Sequence, residues 1–433
     1  MSFISNMKKD RDIMLKKIGI NSVEDLFKDV PADKRFPEVK MVPPLSEPEI
    51  LLELSKLSAK NASAECYDWF LGGGIYNHFV PSVISAITSR GEFLTAYTPY
   101  QPEVSQGTLE AIFEYQTMIS ELTGMEVVNA SHYDGATALA EAAIMSVRST
   151  RKRNKVVIAP GLHPEYLEVI KTYFQGLDIE LSTGDIDDKT AGYIVQNPTF
   201  TGEIIDVNAE AQKAHDQGAL LIVHTDPMAL GVLEAPGNCG ADIVTAEGQC
   251  LGVGMNFGGP CLGIFATTAK HIRKMPGRII GETIDECGSK GCVLTFAARE
   301  QHIRREKATS NICSNQGLAA LSAAIYLAAV GKSGFRKVAE LCWHKAHYAA
   351  EEIGKIDGYS VATKGNFFKE FLIKTPVPAE EIFAKLQDKY IMAGLPLSRF
   401  KDGKADEMLI CVTEINSRKQ IDHLVSALKE VAL

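Results

Sequence analysis

Three short stretches carry residues whose types and spacing could do chemistry. In "HYDGATALAEAA", Gly135, Ala136 and Thr137 open a helical pattern just after a short strand pattern. The free backbone N–H groups of such a helix start attract an anion, a phosphate above all. In "IVHTDPMALG", Asp226 stands at the carboxyl end of an apolar strand, where open α/β sheets bind their ligands. In "PGLHPEY", His163 holds a similar strand-end position, able either to stack on a ring or to cap the next helix. The helix start also has an ordinary use. Asp134 is a normal cap for the helix at 135, and a carboxylate there repels an anion.

A fourth stretch, "VTAEGQCLGVGMNFGGP" at 244–260, is dense in glycine, which lets backbone approach a ligand closely. It contains no lysine, arginine or histidine. It has the form of a cofactor loop without a catalytic group.

These residues need a parallel sheet to position them. From about 60 to 330, apolar strand patterns alternate with helical ones: "EVVNAS", "KVVIAP", "AGYIVQNPT", "ALLIVHTD", "ADIVTAEG" and "CLGIFAT" between helices such as "VSQGTLEAIFEYQTMISELTG". Continuous apolar runs indicate strands buried on both faces, as in a mostly parallel sheet. In the helix before Gly124, Ile112, Tyr115, Ile119 and Leu122 share one face. Residues 1–60 read as a helical arm. "SVEDLFKDVP" is expected to be helical from an N-cap at Ser22 to Pro31, and "SEPEILLELSKLSAKN" is a second helix. The arm is expected either to wrap a partner subunit or to pack on its own domain. Residues 331–433 give strand, helix, strand, helix, a small α+β domain.

The bulk properties narrow the function. The chain has 433 residues, 45% of them hydrophobic, and a net charge of −9. The acidic balance argues against nonspecific binding to nucleic acid or acidic membranes. Nine cysteines are scattered, Cys287 and Cys292 being the closest pair, with no CxxC spacing, so no metal site is expected and a reducing cytoplasm fits best. Neither a signal peptide nor an uncharged membrane-spanning run is visible.

A large α/β domain followed by a small α+β domain is the plan of aspartate-aminotransferase-like, fold type I, pyridoxal-phosphate enzymes. Such an enzyme needs a lysine after the aspartate to form the Schiff base. None is there. From Ala214 to Ala269 the sequence has neither lysine nor arginine, and Lys213 and Lys270 flank the wrong elements.

Long stretches, among them "YTPYQPEVSQGTLEAIFEYQTMISELTGMEVVNASHYDGATALAEAA", "RKMPGRIIGETID" and "TFAAREQHIRREKATSNICSNQGLAAL", closely resemble subunit 1 (alpha) of the glycine cleavage system P protein. The resemblance covers nearly the whole chain and accounts for the missing lysine. It implies a heteromeric glycine decarboxylase whose homologous beta subunit carries pyridoxal phosphate on a lysine. The family passes the aminomethyl group of glycine to the lipoyl arm of the H protein. Laying the beta subunit's lysine stretch on "NFGGP" puts the lysine position at Gln249. The resemblance thus implies no catalytic residue and no cofactor on this chain, a vestigial pocket around Gly135, Ala136, Thr137, His163 and Asp226, and an α2β2 assembly.

The "YTPYQPE" loop offers Tyr97, Thr98, Tyr100, Gln101 and Glu103 as candidates for contacts to substrate or partner; a rigid interface loop is the plainer reading. In "AAREQHIRREKATSN", read as a helix whose charges from Glu300 to Arg304 and Arg299 to Glu306 cover several faces, Arg299, Arg304, Arg305 and Lys307 either meet the H protein or a carboxylate, or form a solvated or intersubunit ion-pair helix. Two other hypotheses remain: an autonomous pyridoxal-phosphate enzyme using a lysine such as Lys270 or Lys290, and a non-catalytic regulatory or binding module.

Overall fold

The computed structural model describes residues 6–150, 152–308, 310–312 and 316–431. The chain divides into a unit ending at Ala62 and a unit starting at Ser63.

The first unit carries helices at Lys8–Ile18 and Glu47–Ser58. The second starts with a capping box, in which Glu49 accepts the N–H of Ser46 at 2.7 Å. Neither helix buries a residue. The expected helix from Ser22 is reduced to one 3-10 turn, Glu24–Phe27. The Asp25 carboxylate accepts the N–H groups of Asn21 and Ser22, at 3.0 and 2.9 Å. That local bonding closes a turn, and Pro31 leaves too few residues for a helix to repay its nucleation.

The second unit is built on a seven-stranded mixed sheet. Its strands, in chain order, are β1 (Val127–Val128), β2 (Lys155–Ile158), β3 (Glu180–Ser182), β4 (Thr190–Asn197), β5 (Leu220–Thr225), β6 (Ile243–Glu247) and β7 (Gly263–Thr267). The spatial order is β1-β7-β6-β5-β4-β2-β3. All neighbouring pairs run parallel except those of β7, which is antiparallel to both β6 and β1. Every residue of β2, β5, β6 and β7 is buried, so their apolar runs follow from cover on both faces.

The covering helices are α1 (Pro102–Thr123), α2 (Gly135–Ser149), α3 (Pro164–Phe174), α4 (Val207–Asp216) and α5 (Gly317–Gly354). In α1, Tyr115 and Ile119 are buried, and the helix ends where Gly124 takes a left-handed conformation, φ 69°. α2 buries all of Gly135 and Ala136 and then Ala138–Ser146, an alanine-rich cylinder that lets the sheet approach. α5 is long and apolar enough to cross a membrane, but Ala319, Ala320, Ala323 and Tyr326 are packed into the core.

A hairpin, β8 (Ile279–Ile284) and β9 (Lys290–Thr295), follows the large sheet. A second, antiparallel sheet takes β10 (Ser360–Val361), β11 (Glu370–Lys374), β12 (Leu395–Pro396) and β13 (Glu407–Cys411) in the order β10-β11-β13-β12. Helices α6 (Ala379–Gln387) and α7 (Arg418–Val431) pack with it around Phe371, Ile373, Leu386, Met408, Ile410 and Leu424.

The "AAREQHIRREK" segment is not one helix. It forms separate short turns at Ala297–Arg299, Gln301–Arg304 and Arg305–Lys307. Phe296 and Arg305 have positive φ, 52° and 55°, which breaks the helical path at both ends. Glu300 to Arg304 and Arg299 to Glu306 therefore do not run along one helix. Arg299 instead lies 3.6 Å from Glu300 and donates to the carbonyls of Met275 and Gly277.

Candidate functional site

The carboxyl ends of β4, β5 and β6 and the start of α2 converge on one place. Here the structure gathers Gly135, His163, Asp226 and Gln249.

At the start of α2, Asp134 is the cap: its Oδ1 accepts the Thr137 N–H at 2.7 Å. The Gly135 N–H points elsewhere, to Glu247 Oε2 at 2.9 Å. Glu247 Oε1 accepts from Gln249 N and Leu262 N, both at 2.9 Å. One buried carboxylate thus takes three backbone N–H groups. Burial pushes the Glu247 carboxyl up to about 7, against those three donors, which favour the charged form. Gly135 is required at this contact. A Cβ there would sit 2.9 Å from Glu247 N and 3.0 Å from His224 Cε1.

Asp226 lies just beyond β5. Its Oδ1 accepts the Met228 N–H at 3.0 Å, and its Oδ2 pairs with the Lys369 ammonium at 2.7 Å. Lys369 precedes β11 and is 2% exposed. Its Nζ also lies 3.0 Å from His78 Nε2 and 3.4 Å from the centre of the Tyr76 ring. Burial lowers the Lys369 ammonium most strongly of any single influence; the Asp226 charge together with the nearby Cys250, Cys411 and Cys342 sulfurs offsets it and holds the group above its ordinary value. His78 Nδ1 in turn faces Glu414 Oε2 at 2.6 Å. Tyr76 donates its hydroxyl to Glu370 Oε2 at 2.8 Å, and Gly73 N donates to Glu370 Oε1 at 2.7 Å. The sequence reading missed Lys369, Glu247 and Tyr76. Lys369 and Tyr76 come from segments far from the sheet in sequence, so no local pattern marks them.

Gln249 is buried. Its Oε1 accepts the Tyr76 N–H at 2.9 Å, and its Nε2 donates to Tyr76 O at 3.0 Å and Val253 O at 2.7 Å. The side chain is a staple between two stretches of backbone and carries no nucleophile.

His163 caps the next helix, one of the two roles open to it. Its Nδ1 accepts the Glu165 N–H at 3.1 Å as the cap of α3, and its Nε2 donates to Gly73 O at 2.8 Å. Its ring stacks on Tyr166, centroids 4.7 Å apart, and meets Phe200 at 4.5 Å. Burial lowers its basicity. The cavity left among Gly74, Tyr76, His163, Tyr166, Glu247 and Lys369 is about 30 Å³. That is room for roughly one or two waters. Lys270 and Lys290 lie elsewhere, both exposed, the latter 3.0 Å from Glu282.

His78, Cys342 and Glu414 place one ligand atom each within 4.8 Å of one another. His78 and Glu414 are already bonded, and the Lys369 ammonium beside them opposes a cation.

The "YTPYQPE" residues form a separate surface. Tyr97 is 74% exposed, and Gln101 and Glu103 are exposed. Tyr100 accepts a hydrogen bond from Arg278 Nη2 at 2.8 Å and meets the His302 ring edge-on at 5.3 Å. Gln106, on α1, bonds both N and O of Cys292 at 2.9 Å, fixing the helix to the β8–β9 hairpin. Tyr97, Thr98 and Arg278 border a surface pocket of about 380 Å³ with Phe93, Ile112 and Leu321. The structure does not bring this group to the Asp226 pocket, whose lining residues are all different.

The family model of the glycine cleavage system P-protein matches residues 1–428. The chain belongs to the P-protein family. It is 51% identical to the probable glycine dehydrogenase (decarboxylating) subunit 1 of Thermomicrobium roseum, over 99% of each chain. It is 48% identical to the protein of that name in Desulforamulus reducens, over the whole of both chains. A crystal structure of glycine decarboxylase (P-protein) of the glycine cleavage system, in inhibitor-bound form, superposes with a TM-score of 0.93 at 41% identity, covering both chains fully. More distant folds include a glutamate decarboxylase of Lactobacillus brevis, TM-score 0.65 at 13% identity over 93% of this chain and 96% of the other. Another is a C-DES mutant with glycine covalently linked to its pyridoxal-phosphate cofactor, TM-score 0.60 at 13% identity over 84% and 96%. The fold is that of the type I pyridoxal-phosphate enzymes, and this P-protein-family chain aligns end to end with relatives designated subunit 1.

Proposed function

We propose that this chain is the subunit of a cytoplasmic glycine decarboxylase that does not hold the cofactor. The observation that carries the reading is Gln249, whose amide is engaged in three backbone hydrogen bonds where a Schiff-base amine would stand. Pyridoxal phosphate, bound to the partner beta subunit, supplies the electron sink for loss of carbon dioxide from glycine. The lipoylated H protein takes the remaining aminomethyl group. An α2β2 assembly is the reading for the complex, with no nucleic acid or membrane involved.

The family supports a shared enzyme; the filled pocket supports a division of labour within it. Residues here do not fit pyridoxal phosphate. The N–H of Gly135 is taken, Asp226 is paired, and the remaining cavity is far too small. Lys369 is no substitute for the missing lysine, because a protonated amine held on a carboxylate is not nucleophilic. Tyr97, Thr98, Tyr100, Gln101 and Glu103 are read as the contribution of this chain to the beta subunit's site or to its docking. An exposed tyrosine beside two prolines is a rigid contact group, and the loop is braced from behind by Arg278.

The test is an absorbance titration with pyridoxal phosphate, on this chain alone and with the beta subunit, followed by borohydride reduction and peptide mapping. The reading expects no lysine-bound cofactor on this chain and one per beta subunit in the mixture. A modified lysine on this chain would sink it and favour the autonomous enzyme. Unchanged glycine decarboxylation by the beta subunit alone would favour the regulatory module.

A further inference from the structure

We infer that Glu247 and Lys369 are built-in substitutes for the two charged ends of the cofactor, so that the pocket is closed by added charges as well as by a lost amine. The inference rests on the reading of this chain as the subunit without the cofactor.

The anionic end comes first. The start of α2, the turn after β6 and the approach to β7 present three N–H groups to one point, those of Gly135, Gln249 and Leu262. A helix start of this kind is an anion cradle. The chain fills it with its own carboxylate, from the last residue of β6. The cationic end is equally filled. Asp226, at the strand end, faces an ammonium from the other sheet rather than open space, and the Tyr76 ring lies over that ammonium.

The two substitutions solve a physical problem that loss of the lysine alone would leave. An emptied pocket would keep unsatisfied N–H donors at one end and a buried carboxylate at the other, each costly to leave unpaired. Glu247 satisfies the donors and Lys369 the carboxylate. They come from separate segments, β6 and the approach to β11, so each end is closed independently. The pocket is therefore complete without a ligand, and this chain reaches its folded form with no pyridoxal phosphate.

The experiment reopens one end. Glu247→Ala removes the carboxylate and leaves the three N–H groups facing a space. Inorganic phosphate is the probe, titrated against thermal melting and by calorimetry, with near-ultraviolet circular dichroism to confirm the fold. The unaltered chain is expected to show no saturable phosphate stabilisation. The variant is expected to bind phosphate at least roughly tenfold more tightly than the unaltered chain, as charge-assisted bonds to backbone N–H groups do. A folded variant that binds no more phosphate than the unaltered chain overturns the inference, as does saturable binding of phosphate or pyridoxal phosphate by the unaltered chain. If Glu247→Ala does not fold by itself, it is refolded with and without phosphate. Recovery that depends on phosphate supports the inference, and equal failure in both overturns it. The phosphate readout is blind to lysine modification, so its failure is distinct from a trapped lysine, which would sink the reading under Proposed function.

Discussion

Lys369 Nζ lies 2.7 Å from Asp226 Oδ2, the lysine side chain buried and the aspartate 10% exposed. Asp226 closes a strand of the seven-stranded sheet, and Lys369 leads into a strand of the four-stranded one. The contact is therefore a charged bolt between the two sheets of the second unit.

Removing one half of that bolt leaves the other charge stranded. Lys369→Met is expected to destabilise the chain by about 3–5 kcal/mol, measured by urea unfolding. The double variant Lys369→Met with Asp226→Asn should lose less than the sum of the two single changes. Strict additivity would mean that the two groups do not interact.

Placing an amine at position 249 should not create a cofactor site. Gln249→Lys cuts three hydrogen bonds to the backbone of Tyr76 and Val253 and puts an ammonium at a buried position. The expected result is a loss of roughly 1–3 kcal/mol and no borohydride-trapped pyridoxal phosphate. Trapping at position 249 of that variant would show that the pocket is open.

Acid sensitivity should trace in part to His132. Its ring stacks on Phe265 at 5.1 Å, and burial lowers its pKa from 6.5 to about 3. The unfolded chain therefore binds a proton between those values that the folded chain does not. The stability this provides is present above pH 6.5 and lost as pH falls toward 3, by about 1.4 kcal/mol per unit. In His132→Phe, the stability difference from the unaltered chain should shift in the variant's favour by that slope below pH 6.5. Parallel stability curves would refute the assignment.

The close approach of α2 to β6 should tolerate no added methyl. Gly135→Ala places a Cβ 2.9 Å from Glu247 N, and the neighbours are backbone and packed ring. Overpacking of this kind costs about 1–3 kcal/mol. A melting temperature equal to that of the unaltered chain would show that the helix start can retreat.

Substitutions on the exposed loop should separate stability from activity. Tyr97→Ala, at a residue 74% exposed, is expected to change the stability of the isolated chain by less than about 0.5 kcal/mol. Glycine decarboxylation by the assembled enzyme should fall, with the loss concentrated in either kcat or the H-protein KM. Full activity at all substrate concentrations would remove the loop from the site.

The large sheet was legible because its strands are covered on both faces and so read as unbroken apolar runs. Asp226, His163 and the start of α2 were legible because strand ends and helix starts have fixed chemistry. The gap in basic residues between Ala214 and Ala269 was as informative as any residue present. What filled the gap was not legible. Lys369 lies far beyond Asp226 in the chain, and nothing near it in sequence says that its ammonium will be buried. Glu247 sits inside the quoted glycine-rich loop, yet its role depends on Gly135, 112 positions away. The broken path of residues 297–307 escaped for the opposite reason. Its charges are spaced for a helix, but Phe296 and Arg305 take left-handed backbone that no propensity announces.

The Gln249 staple also has a historical meaning. A site with lysine at 249 and a ligand in the pocket cannot be reached by one codon change. The amide now holds the backbone at Tyr76, the cradle is occupied by Glu247, and Asp226 is committed to Lys369. Each single step back passes through a less stable protein. On the reading proposed above, the three contacts act as a ratchet that keeps this chain in a supporting role.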